Sequence, residues 1–115
     1  MGENNSEDTM ANIEQLQEIA TQFSPDQKVA VGKWFGKPCL ATDKRVFVVL
    51  WGSDLAFKLT GKPHAEALQI PGAHLFDPRG KGAAMKEWVQ IPKSQASRWG
   101  QFAKRAYDYV TASKE

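Results

Sequence analysis

Residues 45–51 (RVFVVLW) limit what this chain can fold into more than any other segment. In an extended strand Val46, Val48 and Leu50 share one face, and Phe47, Val49 and Trp51 share the other. A strand that is apolar on both faces belongs in the middle of a sheet. Its flanks carry turn chemistry. Asp43-Lys44 is a tight turn before it, and Gly52-Ser53 after it has the Gly-X form of a two-residue hairpin, leading into Leu55, Phe57 and Leu59. Upstream, Lys28 to Phe35 alternates as a first strand that Gly36 ends. Pro38 to Ala41 reads as a second strand, with proline at the first residue, where a strand tolerates it.

Around this meander the period changes. Ile13, Leu16, Ile19, Ala20 and Phe23 recur at helical spacing, with Asn12 as cap, Gln15 at the capping-box position, and Ser24-Pro25-Asp26 as the stop. Pro63 opens a short helix over His64 to Gln69, which Pro71-Gly72 ends. Ala73 to Phe76 is a short strand and Asp77 to Gly82 a loop. In Met85 to Ile91 the residues Met85, Glu87, Val89 and Ile91 oppose Lys86, Trp88 and Gln90. The last helix starts near Ser94, with Trp99, Phe102, Ala103, Ala106 and Val110 in one apolar stripe. The order α-β-β-β-β-α-β-β-α is that of an α+β fold. It predicts one domain over residues 10–115: an antiparallel meander of about six strands with N-terminal, middle and C-terminal helices packed on one face. Residues 1–9 are polar and acidic and are expected to be a disordered leader.

At 115 residues the chain is long enough to bury a core without disulfides or metals. No apolar run approaches the ~18–20 residues that cross a bilayer, and the N-terminus is unlike a signal peptide. Cys39 is the single cysteine, so no internal disulfide is available, and a reducing cytoplasm is the expected setting. His64, His74 and Cys39 have no zinc-site spacing, and no cofactor motif is present, so neither a metal nor a cofactor is expected. The net charge of +2 is unevenly spread. Residues 1–27 hold six acidic and no basic residues, which leaves fifteen basic against seven acidic in the body. Such a body suits an anionic partner as well as plain solubility.

The ordered motifs carry a family resemblance. Phe35-Gly36 and then Val46-Phe47 resemble the "FG … G-hydrophobic … F-A" opening of the TfoX N-terminal domain. Leu55-Ala56-Phe57-Lys58 is similar to its L-Y-L-K strand, and Phe76 with Met85 to Pro92 to its later aromatic and M-x-Y-x-x-V-P segments. The related YjbR/MmcQ proteins share the aromatic-Gly start and the Lys-ended strand. The resemblance spans roughly residues 28–110. It implies an α+β domain without an established catalytic role, linked to regulation of natural competence in bacteria. It also implies a comparison with a double-wing DNA-binding fold through the YjbR-like group. The second, helix-hairpin-helix domain of full-length TfoX proteins has no counterpart in this sequence, and Asp43-Lys44 replaces the family's glycine-containing turn.

Four groups of residues are candidates for function. Asp77 to Gly82 (DPRGKG) exposes glycine N–H groups beside Arg79 and Lys81, and Lys86 extends the patch, so it is a candidate anion contact. It lacks the spacing of a phosphate-binding P-loop. With Lys28, Lys33 and Lys37, these residues would form the contact surface of a nucleic-acid-binding protein. Trp34, Phe35, Trp51 and Trp88 are either stacking platforms or filling between helices and sheet. Trp88, between Lys86 and Gln90 on its strand face, is the candidate interaction surface. A thiol enzyme would need Cys39 with His64 or His74 as base, and no motif places either. Asp43, Asp54, Glu66 and Asp77 are not paired for acid–base work. The sequence therefore reads as non-catalytic: a regulatory protein-interaction or self-association module, with nucleic-acid binding as the alternative.

Overall fold

Three two-residue hairpins in succession build most of the sheet. In the computed structural model, which describes residues 13–78, 80, 82 and 84–112, β1 (Val29–Trp34), β2 (Lys37–Thr42), β3 (Arg45–Trp51) and β4 (Asp54–Lys58) follow one another. The pairs Trp34↔Lys37, Thr42↔Arg45 and Trp51↔Asp54 close the hairpins. Phe35 and Gly36 both take positive φ (53° and 78°), as do Asp43 and Lys44 (53° and 69°), the combination of a type I′ turn. At Gly52-Ser53 only the glycine does, as in type II′. Phe35 therefore sits in the turn instead of ending β1, and 85% of it is exposed.

Beyond β4 the chain leaves the meander. α2 (Gly61–Leu68) carries it past the next strand position, so β5 (His74–Phe76) becomes the outer edge and β6 (Met85–Ile91) returns between β5 and β4. The sheet order is β1-β2-β3-β4-β6-β5, every neighbouring pair antiparallel. The described residues thus form one α+β domain in the order read from the sequence. The expected leader, residues 1–9, and the cap Asn12 lie outside the described residues.

The helices share one face of the sheet. Leu16 of α1 (residues 13–20) and Trp99, Phe102, Ala103, Ala106 and Val110 of α3 (Trp99–Ala112) are buried against Leu40, Val48, Leu50, Leu55, Phe57, Val89 and Ile91. The α3 residues are the five of the expected stripe. Helix α3 starts at Trp99 rather than near Ser94, because Lys93–Arg98 forms a 3₁₀ turn broken at Gln95. The buried Trp99 indole N–H donates to the Ile91 carbonyl (3.1 Å), and Arg45 Nη1 donates to the Val110 carbonyl (2.7 Å) near the end of α3.

Strict alternation in β3 does not survive. The β2–β3 register shifts between Leu40 and Ala41, with Leu40↔Val48 followed by Ala41↔Val46. Phe47 is left as an extra residue, a β-bulge. It joins Val48 and Leu50 on the helix face, packed edge-on against Phe23 and Tyr107, while Val46, Val49 and Trp51 go to the opposite face. A second shift, between Leu75 and Phe76, puts Met85 with Trp88 instead of Val89.

The Asp43-Lys44 turn holds two non-glycine residues in left-handed conformation, which costs roughly 1–2 kcal/mol each, against about 0.5–1 kcal/mol for the greater chain entropy of glycine. Lys44→Gly is expected to stabilise the fold by about 0.5–1 kcal/mol, seen as a higher denaturant midpoint at unchanged slope.

Candidate functional site

The face without helices carries an apolar cluster of its own, smaller than the one beneath the helices. Cross-strand pairing sends Trp34 with Lys37, Cys39 with Val49, Val49 with Ala56, Trp51 with Asp54, Lys58 with Trp88, and Phe76 with Met85 to this side. Its centre is lined with small side chains: Ala56 and Cys39 are buried, and Gly32 lies beside the Cys39 Sγ. Its perimeter is aromatic.

That perimeter closes because the sheet curls. In a flat sheet β1 and β6 stand four strand spacings apart, roughly 19 Å. Yet the Trp34 and Trp88 rings stack at 5.0 Å between centroids and 18° between planes. The β3 bulge supplies bending of the kind this requires. From Trp34 and Trp88 the arc continues on one side to Phe35 (5.0 Å from Trp34) and on the other to Phe76 (6.3 Å from Trp88) and then Trp51, set edge-on to Phe76 at 5.2 Å. The result is a cavity of about 550 Å³ lined by Trp34, Phe35, Lys37, Val49, Trp51, Phe76, Pro78 and Met85. An adjoining hollow shares Trp34 and Met85 and adds Trp88, with Lys44, Arg45 and Lys58 among its walls.

The charge on this face is one-sided. Lys37 holds its ammonium 5.1 Å from the Trp51 ring centroid, a cation–π contact, and no carboxylate among the described residues pairs with it. Asp54 is the acid that the pairing places here, and it is engaged: Oδ2 accepts from Gln90 Nε2 (2.8 Å) and Oδ1 from the Lys93 backbone N–H (3.1 Å). Cys39 lies in the floor. Burial pushes its thiol up from the ordinary range, partly offset by a hydrogen bond with the Gly32 backbone, so the reactive thiolate is disfavoured. Among the described residues no three His, Cys, Asp or Glu side chains converge on a metal position. Nor is any described helix long and apolar enough to cross a membrane.

Among the described residues, the lysines of the expected basic patch are dispersed. Lys33, opposite Pro38, points to the helix side, whereas Lys37 points into the cavity. Lys28 ends the Pro25–Gln27 turn at the far end of β1. Lys86 is exposed, and its carbonyl accepts from His64 Nε2–H (2.8 Å). Arg79 and Lys81 lie outside the described residues. The glycine loop is already neutralised from within, because Asp77 Oδ1 accepts from Gly80 N–H (3.0 Å) and Oδ2 from Gly82 N–H (2.9 Å). The amides expected to hold an anion therefore hold a carboxylate of their own loop.

Trp88 is also corrected. It is only 5% exposed, roofed by Trp34, and the surface expected of it is presented by Trp34 and Phe35. Trp34, Trp51 and Trp88 do fill space, but on the side away from the helices. Lys58 and Met85 were not singled out as site residues. The β4–β6 pairing brings Lys58 beside Trp88, and only the shift in β6 brings Met85 to this face. No family model, curated protein or solved structure matches the chain.

Burial separates these aromatics in energy. Trp88→Ala is expected to cost about 3–5 kcal/mol, as for a large ring removed from a packed site. Phe35→Ala should stay within about 0.5 kcal/mol of the parent. Urea denaturation of the two variants checks both values.

Proposed function

We propose that this domain is a non-catalytic binding module whose working surface is the concave, helix-free face of the sheet. The role fits a regulatory setting of the kind that resemblance to the TfoX N-terminal domain implies. One observation carries the reading: an aromatic cavity of about 550 Å³ with a lysine at its edge that no described carboxylate pairs, a volume within the usual range for ligand sites. Self-association through this face is the weaker form of the interaction reading. A two-fold contact sets a patch against its own copy, and here that would bring two surfaces carrying the same cations, Lys37, Lys44 and Lys58, together while Asp54 is already engaged.

The test is a screen of small rigid fragments, aromatic and aliphatic, followed by amide NMR shifts on the full chain. Shifts should gather on Trp34, Lys37, Val49, Trp51, Phe76 and Met85. Shifts scattered over the surface, or gathered on α1 and α3, would refute the reading. A single-stranded oligonucleotide bound at the same face, with affinity falling steeply as salt rises, would replace it with the nucleic-acid alternative.

A further inference from the structure

Resting on that reading, we infer that the cavity takes a small planar aromatic anion, an aryl or heteroaryl carboxylate, with its ring among Trp34, Phe35, Trp51 and Phe76 and its carboxylate at Lys37.

Three properties of the cavity select this chemistry. The walls are ring faces and edges, and the floor is Val49 beside buried Cys39 and Ala56, so the interior offers dispersion and stacking with little to satisfy a polar ligand body. Among the described residues of the lining, Lys37 is the only charged side chain. Pairing with Trp34 fixes its place on the strand, and the contact with Trp51 holds its ammonium over the aromatic wall. A carboxylate entering there gains a charge-assisted hydrogen bond without displacing a carboxylate already present. A cationic ligand meets the opposite situation, because Lys37 already occupies the cation–π position on Trp51 and repels it.

Larger anions fit less well. A nucleic-acid strand is held by a track of cations along its backbone; Lys33 points to the side of the sheet opposite Lys37, and Lys44, Arg45 and Lys58 line the adjoining hollow instead of the cavity. The Trp34–Trp88 stack bridges β1 to β6 and bounds the cavity on that side, which makes it a pocket more than a channel.

Three probes with one ring system and different charge test the inference on the full chain: 2-naphthoate, 2-naphthylmethanol and 2-naphthylmethylammonium, titrated by tryptophan fluorescence and amide NMR. Naphthoate should bind saturably, roughly tenfold more tightly than the alcohol, the size expected of one charge-assisted contact at a partly solvated site. The ammonium should bind most weakly. Lys37→Met should bring naphthoate to the level of the alcohol and leave the alcohol unchanged. Phe35→Ala, at an exposed turn position, should weaken naphthoate and alcohol alike.

Equal binding of the three probes at this face, or no effect of Lys37→Met in a variant whose NMR spectrum remains folded, overturns the inference while the binding-module reading stands. Absence of any probe-induced shift at Trp34, Trp51 and Met85 counts against both. Tighter binding of an oligonucleotide than of naphthoate, lost in high salt, overturns the small-ligand assignment in favour of a nucleic acid.

Discussion

The stack of Trp34 on Trp88 is the contact on which the shape of this molecule turns. The two residues belong to strands separated by three others, so their rings meet only because the sheet bends over its helix-free side. The bend has an identifiable contributor in the bulge at Phe47, which breaks the β2–β3 register and pushes a third large side chain toward the helices. One irregularity thus serves both layers. It adds Phe47 to the cluster with Phe23 and Tyr107 below the sheet, and it moves Val46 to join Trp34 and Trp51 above it.

A sheet that curls with small residues at the middle of its concave side leaves room there. Gly32, Cys39 and Ala56 cannot fill the space that the surrounding rings span, and the rings touch one another around it. No described helix closes this volume, because α1 and α3 pack on the convex side. The charges then decide what the open side suits. Cations stand at its edges, and the acid on the face is committed to Gln90 and the Lys93 amide. That asymmetry favours an anion over a copy of the same surface.

Much of the fold was legible because it is local. Positive φ at Gly52, proline in the first turn of α2, the stripe from Trp99 to Val110 and the limits of β3 and β6 all follow from short-range chemistry that neighbours in sequence supply. The site was less legible. Both bulges break the two-residue period without a glycine or proline to mark them, so Phe47 and Met85 stand opposite to where alternation puts them. The glycine loop looked like an anion cradle because nothing in its sequence says that Asp77 will fold back onto Gly80 and Gly82. Lysines grouped by proximity in sequence, Lys33 and Lys37, are divided by a hairpin that turns one away from the other.

By itself, then, the sequence determined the elements, their order, the apolar stripes and the excess of basic residues in the body. Those depend on propensities and periods within a few residues of each position. The tertiary structure alone decided that β6 lies beside β4 with β5 outside it, that Trp88 is covered, and that Trp34, Lys37, Trp51, Phe76 and Met85 share one cavity. Their meeting depends on register, bulges and curl. Those are set by how whole strands pair and pack, at a range no local pattern reaches.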